Sequence, residues 1–83
     1  MATVRLRLFA GARDAAGRGS DTLDARTLGD ALDQARAVYG AGFTAILERS
    51  RVWVNGDEAI DGDATVLADD DEIAVLPPVS GGS

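Results

Sequence analysis

The chain opens with a strict alternation of apolar and charged residues. Val4, Leu6 and Leu8 are separated by two arginines. A period of two is typical of a β-strand with one buried face. The pattern predicts a first strand that ends at Phe9. Residues 10–20 carry three glycines among small residues and predict a loop, after which residues 22–23 predict a short second strand, antiparallel to the first.

The next apolar residues recur at spacings of three and four, which is typical of an amphipathic helix. Thr27 stands at the expected N-cap, and Asp30 three positions later completes a short form of the capping box. Gly40 is expected to end the helix in a left-handed conformation. A further apolar turn is expected over residues 43–47. The predicted apolar face comprises Leu28, Ala31, Leu32, Ala35, Val38 and Tyr39.

A hairpin is predicted in the second half of the chain. Residues 52–54 form an apolar run, and Asn55-Gly56 behind it is a strong signal for a two-residue turn. The returning strand is expected from Glu58 to Ile60. Trp53 lies between two valines of the run, so its side chain is expected on the opposite side of the strand from theirs, packed there or facing a partner.

An acidic segment over residues 61–72 predicts a loop, with Val66 and Leu67 expected to point inward. The last strand is predicted over the apolar run Ile73–Leu76. Pro77-Pro78 ends it, because proline cannot donate to a strand ladder. The predicted order along the chain is two strands, one helix and three more strands. This order predicts a mixed sheet with the helix on one face, the two-layer α+β class. We assign residues 1–76 to a single domain and residues 77–83 to a tail.

Composition narrows the chemistry that this domain can perform. The 83 residues contain no Cys and no His, and all eight basic residues are Arg. Thiolate nucleophiles, Ser-His-Asp triads, Cys/His zinc sites and lysine Schiff bases are therefore excluded. The acidic segment does not match a calcium-binding loop, so no metal site is expected. A domain of this size has one small core, so we expect function at its surface or terminus.

Charge and hydropathy bear on partners and location. The net charge is −6, with +1 on residues 1–41 and −7 on residues 42–83. This balance argues against binding to nucleic acid or to an anionic membrane. No apolar run approaches the roughly 20 residues of a membrane span. A cytoplasmic location is expected.

The tail has an unusual physical character. Pro77-Pro78 holds the chain extended, and Gly81-Gly82 has no Cβ, so it fits a channel too narrow for other residues. At about 3.3 Å per residue, the six residues from position 77 to position 82 reach roughly 20 Å. The alternative is a frayed end or an expression remnant without a role.

Several segments together are similar to a known family. Leu76–Gly82 resembles the ending of the small subunit of molybdopterin synthase, a ubiquitin-like sulfur carrier of the β-grasp fold. Phe9–Gly17 resembles the continuation of that family's first strand, and Val54–Gly56 and Asp71–Ile73 also match. The resemblance implies a β-grasp fold, with the first and last strands adjacent and parallel.

Two positions depart from the family pattern. Asp70 stands where the family usually has glycine, which implies a turn residue with positive φ. Ser83 follows Gly82, whereas the family ends at the second glycine. The resemblance therefore implies that a peptidase removes Ser83 or that Ser83 is absent from the functional form.

The resemblance implies a carrier without catalytic groups or bound cofactor of its own. An E1-like adenylating enzyme would use ATP to activate the carboxylate of Gly82, and a sulfur donor would convert it to a thiocarboxylate. The large subunit of molybdopterin synthase would then take the sulfur for a cyclic pterin phosphate. The expected anchors on the partner surface are Leu76 and Val79, and the residues expected to thread the partner's active site are Pro77, Pro78, Val79, Ser80 and Gly81.

Three alternatives stay open at this point. The chain could carry sulfur for thiamine, cysteine or thiosugar synthesis. It could be a protein modifier that is conjugated through Gly82 to lysines of target proteins. It could also be a non-covalent β-grasp interaction domain with an inert tail.

Overall fold

The fold consists of a five-stranded sheet and two helices. The computed structural model describes residues 1–78, and the tail residues 79–83 lie outside the described part. The elements are β1 (Ala2–Leu8), α1 (Ala10–Ala16), β2 (Ser20–Ala25), α2 (Leu28–Leu47), β3 (Arg51–Val54), β4 (Asp57–Glu58), a 3₁₀ turn (Gly62–Ala64) and β5 (Glu72–Leu76).

All five strands belong to one mixed sheet in the order β2-β1-β5-β3-β4. β1 and β5 run parallel, whereas β2, β3 and β4 pair antiparallel with their neighbours. The last strand of the chain thus lies at the centre of the sheet, beside the first. The α+β class is confirmed, and the topology is the ubiquitin-like β-grasp that the resemblance implies.

The alternation in β1 separates two faces of the sheet. Val4 and Leu6 are fully buried, and Leu8 is nearly so. They pack with α2 in one hydrophobic core. Arg5 and Arg7 point to the other side and are exposed. We call that side the open face.

Helix α2 begins as predicted. The Thr27 hydroxyl accepts a hydrogen bond from the backbone N–H of Asp30 at 3.2 Å, and the Asp30 carboxylate accepts one from the N–H of Arg26 at 3.1 Å. The predicted inward position of Val38 is wrong, because this side chain is 68% exposed. It lies about 80° from the centre of the apolar stripe, beyond the part of the helix that faces the sheet. The buried positions in the first half of α2 are Leu28, Ala31, Leu32 and Ala35.

The predicted end of the helix at Gly40 is present as a break, but the predicted left-handed conformation is wrong. Its backbone is non-helical, with φ 88° and ψ −168°, a region that essentially only glycine occupies. The chain then resumes a helical path, as the predicted apolar turn requires, and buries Phe43 completely. Tyr39 and Phe43 on either side of the break form an edge-to-face aromatic pair, with ring centroids 5.1 Å apart.

The predicted hairpin forms around Asn55-Gly56, whose φ values of 53° and 84° are both positive, as a type I′ turn requires. The predicted extent of the returning strand, from Glu58 to Ile60, is wrong. Only Asp57 and Glu58 pair with β3, and Ile60 is 98% exposed. The chain turns away from the sheet at that point.

Two loop predictions need correction. Residues 10–16 form a helix, α1, which ends at Gly17 with φ 78°; the glycine-rich composition had predicted a loop. Val66 is 76% exposed while Leu67 is buried, because successive side chains of an extended segment point to opposite sides. Asp70 has φ 70°, which confirms the positive φ that the family comparison implies at this turn.

Neither of the two helices within residues 1–78 combines the length and apolarity needed to cross a membrane.

Candidate functional site

The candidate site begins where the last strand leaves the sheet. Leu76 ends β5, pairs with Arg51 of β3 and is half-buried on the open face. Pro77 is half-buried and Pro78 is exposed. Strand pairing stops here because a proline nitrogen carries no hydrogen. The chain thus reaches the predicted tail from the middle of the sheet.

The remaining predicted tail positions cannot be located in the fold. The predicted reactive residue Gly82 and the threading residues Ser80 and Gly81 lie outside the described residues. So do the anchor Val79 and Ser83. Their roles stay predictions.

Phe9 flanks the root of the tail. Its backbone N–H donates to the carbonyl of Val75 at 3.3 Å, so the end of β1 is tied to the end of β5. The Phe9 ring is 37% exposed, and the Arg7 guanidinium lies 5.6 Å from the ring centroid, within cation–π range. Sequence reasoning used Phe9 only as a strand end and a family match.

An open groove of about 470 Å³ lies next to this point. Arg5 and Arg7 line it from the open face, and Arg13 reaches it from α1. Sequence reasoning missed the groove because α1 was expected to be a loop; the outward arginines of β1 were its only visible sign. The other lining residues are Leu8, Phe9, Gly19, Ser20 and Glu72.

Two exposed ion pairs lie on the open face. Arg7 contacts Glu72 at 3.4 Å, and Arg51 contacts Glu58 at 3.1 Å. Both pairs are solvated, so each stabilises the fold by about 1 kcal/mol at most.

Trp53 lies on the open face as its position between two valines predicts, paired in the ladder with Ala74 and Glu58. The residue is half-buried. Its indole Nε1 is inaccessible to solvent and has no hydrogen-bond partner among residues 1–78. A buried donor without a partner costs about 1–3 kcal/mol. The free-energy cost of the unpaired indole N–H therefore offsets part of the stabilisation that packing of the large ring provides.

The entry to β5 is fixed by a polar network. The Asn55 side chain donates to Asp71 at 2.9 Å and accepts from the N–H of Glu72 at 2.9 Å. Asp71 also accepts from the N–H of Ala68 at 2.8 Å. The bond from Ala68 first, and that from Asn55 second, hold the pKa of Asp71 below its ordinary value. The network anchors the strand that leads to the tail.

Two carboxylates of the acidic segment accept hydrogen bonds from its own backbone and from neighbouring elements. Asp69 accepts from the backbone N–H of Thr3 at 2.9 Å, and Asp71 accepts the two bonds just described. Within residues 1–78, no three carboxylate side chains are grouped so as to hold a metal ion.

Comparison with known proteins identifies the family of this chain. A family model described as the ThiS family matches residues 6–82. The chain belongs to the ThiS family. Small archaeal modifier protein 3 of Haloferax volcanii is 36% identical over 90 aligned residues, which cover 95% of this chain and 98% of that protein.

Solved structures agree with this membership. Small archaeal modifier protein 1 of Methanosarcina acetivorans superposes with a TM-score of 0.86 and 34% identity over 99% of this chain and 98% of that one. A complex of subunits 1 and 2 of the molybdopterin-converting factor of Helicobacter pylori contains a chain with a TM-score of 0.73 and 26% identity; the match covers 96% of this chain and 99% of that one. These three matches cover 95–99% of this ThiS-family chain.

Proposed function

We propose that this ThiS-family chain is a sulfur carrier whose reactive group is the carboxyl of Gly82, which becomes free when Ser83 is removed by hydrolysis. The observation that carries the proposal is the course of β5. This strand lies between β1 and β3, is fixed at its start by Asn55 and Asp71, and leads through Pro77-Pro78 towards Gly81-Gly82. When fully extended, the six residues from position 77 to position 82 would span roughly 20 Å.

The chemistry follows from the poor electrophilicity of a carboxylate. A carboxylate oxygen of Gly82 attacks the α-phosphorus of ATP, and pyrophosphate leaves. Hydrosulfide or an equivalent sulfur donor then attacks the acyl carbon, AMP leaves, and the thiocarboxylic acid loses its proton. An adenylating enzyme provides the catalytic groups, since this chain has no His, Cys or Lys.

We assign the sulfur to molybdopterin synthesis in the first instance. Supporting this destination is the 26% identity to a chain in the Helicobacter pylori complex of molybdopterin-converting factor subunits 1 and 2. The acceptor would be a large subunit that binds the tail of this chain and transfers the sulfur to a cyclic pterin phosphate. Leu76 and Val79 would contact its surface.

A second candidate function is protein modification through Gly82. It is favoured by the 36% and 34% identities to small archaeal modifier proteins 3 and 1. The adenylation step is common to both functions, and only the nucleophile differs. Because the chain has no Lys, a modifier of this sequence cannot form chains through its own lysine side chains.

Intact-mass measurement tests the shared chemistry. A form ending at Gly82 and the form ending at Ser83 are each incubated with ATP, an adenylating enzyme and sulfide. We expect only the Gly82 form to gain the mass of one sulfur exchanged for one oxygen, because Ser83 displaces the carboxylate by about 3.3–3.6 Å and adds a Cβ. Equal conversion of both forms without loss of Ser83, or conversion of neither, would contradict the proposal.

The carrier and the modifier are then distinguished in cells. A tagged chain ending at Gly82 is compared by blotting with one ending at Gly81. If the chain is a carrier, each form gives a single band on the blot. In the presence of the large subunit, the thiocarboxylate then transfers its sulfur to a cyclic pterin phosphate. A ladder of conjugates that disappears with Gly82 would establish the modifier instead.

A further inference from the structure

One part of the open face is basic although the protein is acidic. Arg5, Arg7 and Arg13 line one groove, and Arg51 lies beside Leu76 across the β3–β5 ladder. We call these four residues the arginine surface. The acidic residues among them are Glu72 and Glu58, and Asp24 of the open face lies opposite Thr3, near the other end of β1. The arginine surface is therefore positive within a chain whose net charge is −6.

Part of this positive charge is not neutralised within the fold. Arg7 pairs with Glu72 and Arg51 with Glu58. Within the described 78 residues, Arg5 and Arg13 take part in none of the ion pairs. Both are exposed. Two arginines of the groove therefore keep their charge available to a partner.

The arginine surface surrounds the root of the tail. On one side, the bond from Phe9 to Val75 joins the end of β1 to that of β5, next to the groove that contains Arg13. On the other side, Arg51 pairs with Leu76. A protein that draws in the tail from Pro77 onward must approach this surface closely.

We infer that the arginine surface docks onto an acidic patch of the adenylating enzyme that receives the tail. The inference rests on the proposed function and adds the chemistry of the partner to it. Arginine and aromatic residues are enriched in protein interfaces, and here the Arg7 guanidinium lies near the partly exposed ring of Phe9. A net charge of −6 disfavours a phosphodiester backbone as occupant, whereas a local acidic patch meets only the basic side.

Two double variants with the same change in net charge test the docking. R5Q/R13Q removes the two unpaired arginines of the groove. R26Q/R36Q is the control: Arg26 follows the end of β2, which pairs with the start of β1 at the opposite end from the tail, and Arg36 lies on α2, paired only with exposed Asp33. Thermal melting of both variants verifies that they fold.

The rate of thiocarboxylate formation by the adenylating enzyme is the first measurement. At low salt we expect kcat/KM to fall about tenfold for R5Q/R13Q and to stay within about twofold for R26Q/R36Q, since surface charges act mainly on association. We also expect the salt dependence seen with the original chain to flatten in R5Q/R13Q. An equal response of the two variants would overturn the inference.

Binding without ATP separates this inference from the carrier function. The fluorescence of Trp53, the single tryptophan, reports complex formation on the open face. Binding that is weakened by R5Q/R13Q and not by R26Q/R36Q supports the docking even if no sulfur is incorporated. Failure to incorporate sulfur would contradict only the carrier function. Arginine-dependent binding of a single-stranded oligonucleotide at physiological salt, or arginine-dependent self-association without enzyme binding, would overturn the inference.

Discussion

At the residue scale, Asp71 links the hairpin to the central strand. It accepts from the backbone of Ala68 and from the Asn55 side chain, and Asn55 in turn accepts from the N–H of Glu72. Asn55 therefore has two roles. It adopts the positive φ of the turn, and its amide fixes the start of β5. The turn signal in the sequence indicated only the first of these.

We expect D71N to be less stable than the original chain by about 1 kcal/mol near neutral pH, since one amide oxygen replaces two accepting carboxylate oxygens. The lowered pKa of Asp71 means that its stabilisation is complete above the ordinary value of 3.8 and is lost as pH falls through the folded-state pKa. Urea unfolding at about pH 7 and about pH 3 should show a smaller acid loss in D71N.

The matched control is D70N, because Asp70 carries the same charge, accepts none of these bonds, and asparagine tolerates its positive φ. We expect this variant to keep the full acid dependence of the original chain. An acid dependence reduced equally in both variants would contradict the role of Asp71.

Tyr39 provides a second test at this scale. Its hydroxyl donates to Asp21 at 2.5 Å, and burial, followed by the Asp21 carboxylate, raises the pKa of Tyr39 to about 12. Because the pKa of Tyr39 is raised in the folded state, its interactions stabilise the folded protein fully below pH 10. This stabilisation is lost as the pH rises towards 12. We expect Y39F to cost about 1–2 kcal/mol near neutral pH and to unfold without this alkaline loss. An unchanged alkaline loss in Y39F would assign it to another group.

At the element scale, the break in α2 decides how the helix covers the sheet. Gly40 turns the chain so that Phe43 and Leu47 enter the core. Tyr39 just before the break contacts the Phe43 ring just after it. Without the break, the helix would continue straight and carry Phe43 and Leu47 in a different direction.

We expect G40A to destabilise the protein by about 1–3 kcal/mol, because φ 88° and ψ −168° are strained for any residue with a Cβ. G42A is the matched control: this glycine is helical and its added Cβ meets no atom within 4 Å. It should be neutral or stabilising by up to about 1 kcal/mol. Urea denaturation measures both, and equal effects would refute the argument.

At the scale of the whole molecule, the order of the sheet makes folding depend on the end of the chain. Ile73 and Val75 of β5 are fully buried, and the strand pairs with β1 on one side and β3 on the other. Without β5 the sheet divides into two hairpins that share no ladder.

We therefore expect a chain that stops after Asp71 to remain unfolded, since it loses two core side chains and both central ladders. A chain that stops after Pro78 should fold with a melting temperature close to that of the full chain. Circular dichroism during heating compares the two. A folded shorter form, or an unfolded longer one, would contradict the assignment of residues 1–76 as the domain.

The sequence by itself determined the elements whose signals are local. The alternation in β1, the hydroxyl cap at Thr27, the turn at Asn55-Gly56 and the break at Gly40 each depend on a few neighbouring residues, so their patterns persist in the fold.

Only the tertiary structure decided the features that depend on distant parts of the chain. Helix α1 has no side-chain cap and is stabilised by packing, with Ala12 fully buried. Val38 is exposed because it lies beyond the part of the helix that faces the sheet, and Val66 is exposed because Leu67 takes the inward position. The arginine surface joins β1, α1 and β3, and residues so far apart in sequence become one surface only when the strands pair.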